Sequence, residues 1–176
     1  MAVLETVRLG ERLTIGANAD WTAVGHAVHA GMALAFVDLS SEIQTQDVQN
    51  ILTSYQLTAH VSALALADQI RVVTRWVCER WPDRKILPEW PVEARLESGQ
   101  VLNGRIDLLI DAGDHWVLLD YKSNPGGRSN WPELANVHGG QLLAYQGAVE
   151  LATGKSVKEF WLVLPVAAGG IRIERA

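Results

Sequence analysis

The chain has 176 residues, 48% of them hydrophobic, and a formal net charge of −5, which is the size and make-up of one globular domain with a substantial core. Its apolar runs are short and broken by charge, which argues against a transmembrane span, and its start lacks the regions of a signal peptide. Cys78 is the only cysteine, which excludes an internal disulfide and a cysteine-ligated zinc or iron–sulfur site and favours a reducing cytoplasm. The acidic balance is unfavourable for a nucleic-acid binder, so such a role would require a local basic patch, a metal or further domains.

The first half of the chain is mainly helical by its pattern. Residues 2–15 interleave apolar and charged side chains and predict a strand or a hairpin that turns at Gly10. Asp20 precedes an apolar periodic run and predicts the N-cap of a helix over residues 21–39. Residues 42–81 predict further helix, in two pieces.

The middle of the chain changes to the alternating pattern of strands. A strand is predicted over residues 90–96, with a turn at Ser98-Gly99. Two more strands follow, over residues 101–110 and 116–122. They are separated by a short turn of Asp, Ala, Gly and Asp, so the three strands predict a meander.

The last part of the chain returns to mixed elements. Residues 124–131 have the composition of a mobile loop. A helix is predicted from about Pro132, and Gly154 is positioned to end it. Residues 160–166 predict a buried strand, and residues 171–173 a short edge strand.

Two carboxylates and a lysine stand out in the meander. Asp107 lies inside an apolar strand, and Asp120 ends the next strand, two positions before Lys122. Side chains two apart in a strand point to the same face, and pairing of the strands can bring Asp107 beside them. Carboxylate oxygens at such a place suit Mg²⁺ or Mn²⁺. The ordinary alternative is that the acids are solvated or that Asp120 and Lys122 simply neutralise each other.

Several separated motifs resemble the PD-(D/E)XK nucleases, and within them the RecB/AddA-type nuclease domain of bacterial helicase-nucleases. They are Gly25-His26-Ala27-Val28-His29, Glu89-Trp90-Pro91-Val92, Gly104-Arg105-Ile106-Asp107, Leu118-Leu119-Asp120-Tyr121-Lys122-Ser123-Asn124, and the pair Gln141 and Tyr145. Their order and spacing agree with the family over roughly residues 20–166. Each motif is weak alone, and the conjunction carries the resemblance.

The resemblance implies a fold and a domain organisation. The fold is α/β, with a restriction-endonuclease-like core in which helices flank a mixed central sheet, and with an added N-terminal helical segment. Residues 1–176 would form a single nuclease domain, either the C-terminal piece of a larger helicase-nuclease or a small stand-alone protein. The family members that carry an iron–sulfur cluster use four cysteines, so this chain resembles the subgroup without one.

The resemblance also implies roles for individual residues. A divalent cation would be bound by His29, Asp107, Asp120 and the backbone carbonyl of Tyr121. Lys122 would orient or activate the attacking water, which makes it catalytic together with the two aspartates.

Further residues are implied around this centre. Glu89 would be an outer or second-metal carboxylate, although Glu93 competes for that role. Contacts to DNA are expected from Gln141, Tyr145, Ser123 and Arg128, and Trp131 is a candidate for stacking on a base. On the residue pattern alone, His29 would more often be a hydrogen-bonded core histidine, and His138, in the predicted loop, has an ordinary polar role.

The expected function is therefore a Mg²⁺- or Mn²⁺-dependent deoxyribonuclease. Its substrate would be single-stranded DNA delivered by helicase domains of the same chain or of a partner subunit, in double-strand-break repair and recombination, with no membrane involved. A non-catalytic nuclease-like module that makes protein or DNA contacts is the main alternative. A nuclease acting on RNA or on structured DNA is a weaker one.

Overall fold

The computed structural model describes residues 1–95 and 101–174. The elements, in chain order, are β1 Ala2–Arg8, α1 Trp21–Val37, α2 Thr45–Ser54, α3 Ala63–Arg80, β2 Lys85–Arg95, β3 Val101–Asp111, β4 Trp116–Tyr121, α4 Trp131–Thr153, β5 Val157–Leu164 and β6 Gly169–Glu174. A 3₁₀ turn, Arg128–Asn130, leads into α4.

The strands form one six-stranded sheet in the order β1-β6-β5-β4-β3-β2. Strands β4 and β5 are parallel, and every other neighbouring pair is antiparallel. A parallel pair needs a crossover connection, which α4 supplies. The predicted α/β fold with a mixed central sheet flanked by helices is confirmed.

Helices cover both faces of this sheet. One hydrophobic cluster packs α1, α2 and α3 against one face, and a second packs α4 against the other. The helical segment expected at the N-terminus is α1–α3, and it follows β1. The Asp20 cap is confirmed, since its Oδ1 accepts hydrogen bonds from the amides of Thr22 and Ala23 at 2.9 and 3.4 Å.

Two expectations about the strands are wrong. Strand β6 is not an edge strand, because β1 pairs with it on one side and β5 on the other. The hairpin at Gly10 does not form. After Arg8 the chain leaves the ladder, and Leu13 N donates to the carbonyl of Val166 at 3.0 Å instead of returning as a second strand. Both errors concern contacts between distant parts of the chain, which a local pattern does not contain.

The three-stranded meander is confirmed in the described part of the chain. Strands β2, β3 and β4 pair antiparallel in succession, and β2 begins at Lys85, five residues before its predicted start. The predicted turn at Ser98-Gly99 lies outside the described residues. Within the described ranges, none of the helices combines the length and the apolar content that crossing a lipid bilayer requires.

Candidate metal centre

The centre begins where β3 and β4 separate. These strands pair only from Asp111 opposite Trp116 to Leu108 opposite Leu119. Immediately beyond the last pair, the Oδ2 atom of Asp107 accepts the Tyr121 amide hydrogen at an N–O distance of 2.6 Å. The carboxylate thus occupies the gap left by the diverging strands, where it replaces a ladder hydrogen bond.

His29 reaches the same point from α1. Its Nδ1 lies 3.1 Å from Asp107 Oδ1, and its Nε2 lies 3.0 Å from the carbonyl oxygen of Tyr121. Burial alone would lower the pKa of His29, but the hydrogen bond and charge of Asp107, together with the charge of Asp120, hold the pKa above its ordinary value. The imidazole therefore bridges a carboxylate and a backbone carbonyl.

Glu89 completes a cluster of three potential ligands. Pro88 pairs with Leu108 and Trp90 with Ile106, which sets Glu89 opposite Asp107. One ligand atom from each of His29, Glu89 and Asp107 lies within 4.8 Å of the others.

The backbone at Glu89 is strained. Its φ of 53° falls in the left-handed region that non-glycine residues rarely adopt, a conformation that costs about 1–3 kcal/mol and often occurs at functional sites. Arg105 forms an ion pair with the Glu89 carboxylate. Glu93, the competing candidate, is exposed and lies opposite Asn103, so the described structure groups Glu89 rather than Glu93 with the histidine.

Asp120 and Lys122 form a second, different arrangement. Asp120 is 5% exposed, and Lys122 Nζ lies 2.5 Å from its Oδ2. The contact is an ion pair without the angles of a hydrogen bond, so Oδ2 has no hydrogen-bonded partner among the described residues. Burial raises the pKa of Asp120 to about 6, although the charge of Lys122 opposes the rise.

Helix α4 brings a polar pair toward the strands. Gln141 Nε2 donates to Tyr145 Oη at 2.9 Å, and the Tyr145 ring packs against Gly104, where a Cβ would lie 2.7 Å from Oη. The glycine in the third motif thus leaves room for this tyrosine. Tyr145 is 5% exposed, whereas Gln141 is exposed.

His138 is a residue whose place the sequence did not indicate. It lies inside α4, one turn before Gln141, and not in the preceding loop. Burial and the nearby charge of Lys122 both lower the pKa of His138, which sets it beside the lysine. The spacing of three residues to Gln141 and seven to Tyr145 is the helical signal that could have found it.

A cavity of about 550 Å³ opens over the histidine cluster. Polar residues from four parts of the fold line it, namely His29, Glu89, Asp107, Arg105 and Ser123. Trp21 and Tyr55 line the same cavity, and Trp21 is 43% exposed. The site is thus open to a molecule that carries both charge and flat apolar surface.

The sequence profile of the PD-(D/E)XK nuclease superfamily matches residues 6–174. The chain belongs to this superfamily. The match runs from β1 to β6, so it includes every residue of the centre described above.

Curated relatives of this superfamily member have one name in common. The chain is similar to an ATP-dependent helicase/nuclease subunit of Clostridium acetobutylicum, with 26% identity over 175 residues, covering 85% of the chain and 14% of the relative. The proteins of the same name from Pelotomaculum thermopropionicum and Desulforudis audaxviator are 41% and 34% identical over 83 and 102 residues, covering 46% and 56% of the chain and 6% and 8% of the relatives. The chain thus spans a small part of the length of each relative.

Two residues expected to contact DNA lie in different places in this nuclease-superfamily fold. Ser123 packs close to α1, where a Cβ at Gly25 would lie 3.2 Å from its Oγ. Arg128 is exposed before α4, with its guanidinium 5.5 Å from the Trp131 ring centre. Trp131 itself is 3% exposed, so the expected stacking of Trp131 on a base is wrong: the indole is committed to the core.

The donor set fits a hard divalent cation. Magnesium and manganese prefer oxygen ligands in proteins, with imidazole also acceptable to manganese. The centre offers two clustered carboxylates and an imidazole, and close by a buried Asp120 oxygen that lacks a hydrogen-bonded partner among the described residues. A bound cation would offset the cost of burying these acids together.

Proposed function

We propose that this protein is a Mg²⁺- or Mn²⁺-dependent deoxyribonuclease that hydrolyses phosphodiester bonds in single-stranded DNA delivered by a helicase. The observation that carries the proposal is the meeting of two arrangements at the point where β3 and β4 separate. A cluster of His29, Glu89 and Asp107 lies on one side, and the buried pair of Asp120 and Lys122 lies on the other.

The residues that would hold the cation are His29, Asp107, Asp120 and the carbonyl oxygen of Tyr121, with Glu89 as an outer or second-metal carboxylate. The support is that Asp107 and Tyr121 already converge on His29 at 3.1 and 3.0 Å. A bound cation supplies a water of lowered pKa and polarises a phosphoryl oxygen.

Lys122 would act on the reacting groups from the α4 side. Its ammonium is 21% exposed and is held by Asp120, so a rotation of the side chain can bring the charge toward a phosphate in the opening. There the ammonium would orient the attacking water and balance the negative charge that develops on the phosphate. Gln141 is exposed on the neighbouring helix and would donate its amide hydrogens to phosphate oxygens.

The preference for a single strand rests on the aromatic lining of the cavity. Trp21 and Tyr55 share this cavity with the histidine cluster. Exposed aromatic rings bind unpaired bases by stacking, without regard to sequence. A duplex keeps its bases stacked on one another, so only an unpaired strand can use both the rings and the metal centre.

The proposed delivery by a helicase rests on the relatives. Each of them is named as a subunit of an ATP-dependent helicase/nuclease, and the chain matches between 6% and 14% of their length. We accordingly propose that residues 1–176 act as the nuclease domain of a helicase-nuclease assembly, within one chain or with a partner subunit. The net charge of −5 is consistent with a module that receives its strand rather than capturing it by non-specific attraction.

A cleavage assay tests the proposal. Labelled single-stranded DNA is incubated with the purified chain and Mg²⁺ or Mn²⁺, beside Lys122→Ala and Asp120→Ala. The matched control is Lys158→Ala, because Lys158 forms an equivalent ion pair with Asp114, at 2.9 Å, away from the centre. We expect cleavage by the wild type and the control and none by the other two variants.

Two results would contradict the proposal. Equal cleavage by all four proteins would remove Asp120 and Lys122 from the mechanism. Absence of cleavage by the wild type, together with absence of Mn²⁺ binding in a titration, would instead identify a non-catalytic module. Competition with unlabelled RNA and duplex DNA separates the remaining substrate classes.

A further inference from the structure

A second cavity, of about 480 Å³, opens near the loop that follows strand β4. Three arginines line it, Arg8, Arg12 and Arg128, together with one acid, Glu11. Three guanidinium groups and one carboxylate give a local charge of +2, in a chain whose net charge is −5. So concentrated a reversal of sign indicates an anionic ligand.

The arginines differ in how they are held. Arg8 donates to the carbonyl of Gly10 at 3.2 Å and forms an ion pair with Glu11 at 2.5 Å. Arg12 donates to the carbonyl of Pro125 at 2.5 Å, and Arg128 stacks over Trp131.

Two of these three charges remain uncompensated. Among the described residues, neither Arg12 nor Arg128 forms an ion pair with a carboxylate. All three arginines are exposed. Two uncompensated guanidinium groups and one held by a displaceable acid thus face the same cavity.

The loop after β4 connects this cavity with the metal centre. Ser123 lines the cavity over the histidine cluster, whereas Pro125 is held by Arg12 and Arg128 lines the arginine cavity. A short span of the chain, from Ser123 to Arg128, thus runs from one cavity to the other. A polyanion bound in the metal centre can therefore extend past this loop.

We propose that the arginine cavity binds backbone phosphates of the same DNA strand that enters the metal centre, on the other side of this loop. The inference rests on the proposed nuclease function. Guanidinium groups bind phosphate oxygens with two parallel hydrogen bonds, and Glu11 occupies the Arg8 guanidinium until a phosphate replaces it. The cavity thus extends the substrate site beyond the scissile bond.

Binding of labelled single-stranded oligothymidylate in EDTA, over a range of salt concentrations, tests this assignment without cleavage. The double variant Arg8→Glu/Arg128→Glu is compared with Arg75→Glu/Arg84→Glu, which reverses two exposed arginines outside the cavity. We expect several-fold weaker binding only in the cavity variant. The slope of log affinity against log salt should fall by roughly 1.4, since each single-strand phosphate contact contributes about 0.7.

Glu11→Gln provides a test of opposite sign. Removing this carboxylate frees Arg8, so the variant should bind the oligonucleotide more tightly than the wild type. Thermal unfolding of each variant, matched to the wild type, shows that the comparison is between folded proteins. A structural role for the arginines would not produce tighter binding on loss of their acidic partner.

Three results would overturn the assignment. They are equal affinity and slope in the cavity and control variants, weaker binding by Glu11→Gln, and protection of the cavity by inorganic phosphate without any binding of the oligonucleotide. Failure of the proposed function is distinguishable, because it would abolish cleavage by the wild type and leave these affinities in EDTA unchanged.

Discussion

The two sides of the metal centre are built on different principles. On the α1 side, Asp107 and His29 are linked to each other and to the Tyr121 backbone by three contacts between 2.6 and 3.1 Å. On the α4 side, Asp120 is more deeply buried and, among the described residues, has only the ion pair with Lys122. One carboxylate is held by the fold, and the other is held by a single movable charge.

This difference separates architecture from chemistry within one site. A carboxylate that accepts a backbone amide stabilises the strand ends whether or not a metal binds. A buried carboxylate with an incomplete set of partners costs free energy until a ligand compensates for it. We therefore expect the two sides to respond differently to substitution, although cleavage should require both.

The largest expected effect is on cleavage, and it should be similar on the two sides. His29→Ala and Lys122→Ala should each lower the cleavage rate by about 100- to 1,000-fold, the range seen when one group that stabilises a transition state is removed. Single-turnover rates on labelled single-stranded DNA measure this. A loss on one side only would show that the other side is purely structural.

The next effect is stabilisation by the metal. Mn²⁺ at one hundred times its dissociation constant should raise the free energy of unfolding of the wild type by about 2.7 kcal/mol, because a ligand that binds only the folded state stabilises it. His29→Ala and Asp120→Ala should lose most of this gain. Asp114→Asn, a change at an exposed acid outside the centre, is the control that should keep it.

The third effect divides the two aspartates in the absence of metal. Asp107→Ala should lower the free energy of unfolding by about 1–3 kcal/mol, because it leaves the buried Tyr121 amide without its acceptor. Asp120→Ala should be neutral or stabilising, since it removes a poorly partnered buried carboxylate while Lys122 can reach solvent. Urea unfolding in EDTA measures both, and equal losses would remove the distinction between the two sides.

The smallest effect concerns the aromatic lining on the α1 side. Trp21→Ala should weaken binding of single-stranded DNA by about 1 kcal/mol, the lower end of the range for one stacked base. Trp90→Ala is the matched control, because Trp90 is 38% exposed but does not line this cavity. Fluorescence titration with an oligonucleotide compares them, and equal losses would argue against stacking on Trp21.

The sequence predicted most of what depends on neighbours along the chain. The Asp20 cap, the hairpin of β3 and β4, and the approach of Asp107 to the end of β4 follow from capping chemistry and strand alternation. The motifs also predicted that a histidine about eighty residues upstream would join them. The Asp20 cap, the hairpin and the fold class are confirmed, and the functional roles of the site residues remain proposals.

Only the tertiary structure decided how these pieces are assembled. It set β6 between β1 and β5, buried Trp131 against the sheet, brought His138 beside Lys122, and opposed the strained Glu89 to Asp107. Each of these depends on contacts between residues far apart in the chain, whose register a local pattern does not encode. The sequence by itself determined which groups can bind a metal, and the fold decided which of them are held by hydrogen bonds and which remain available for a ligand.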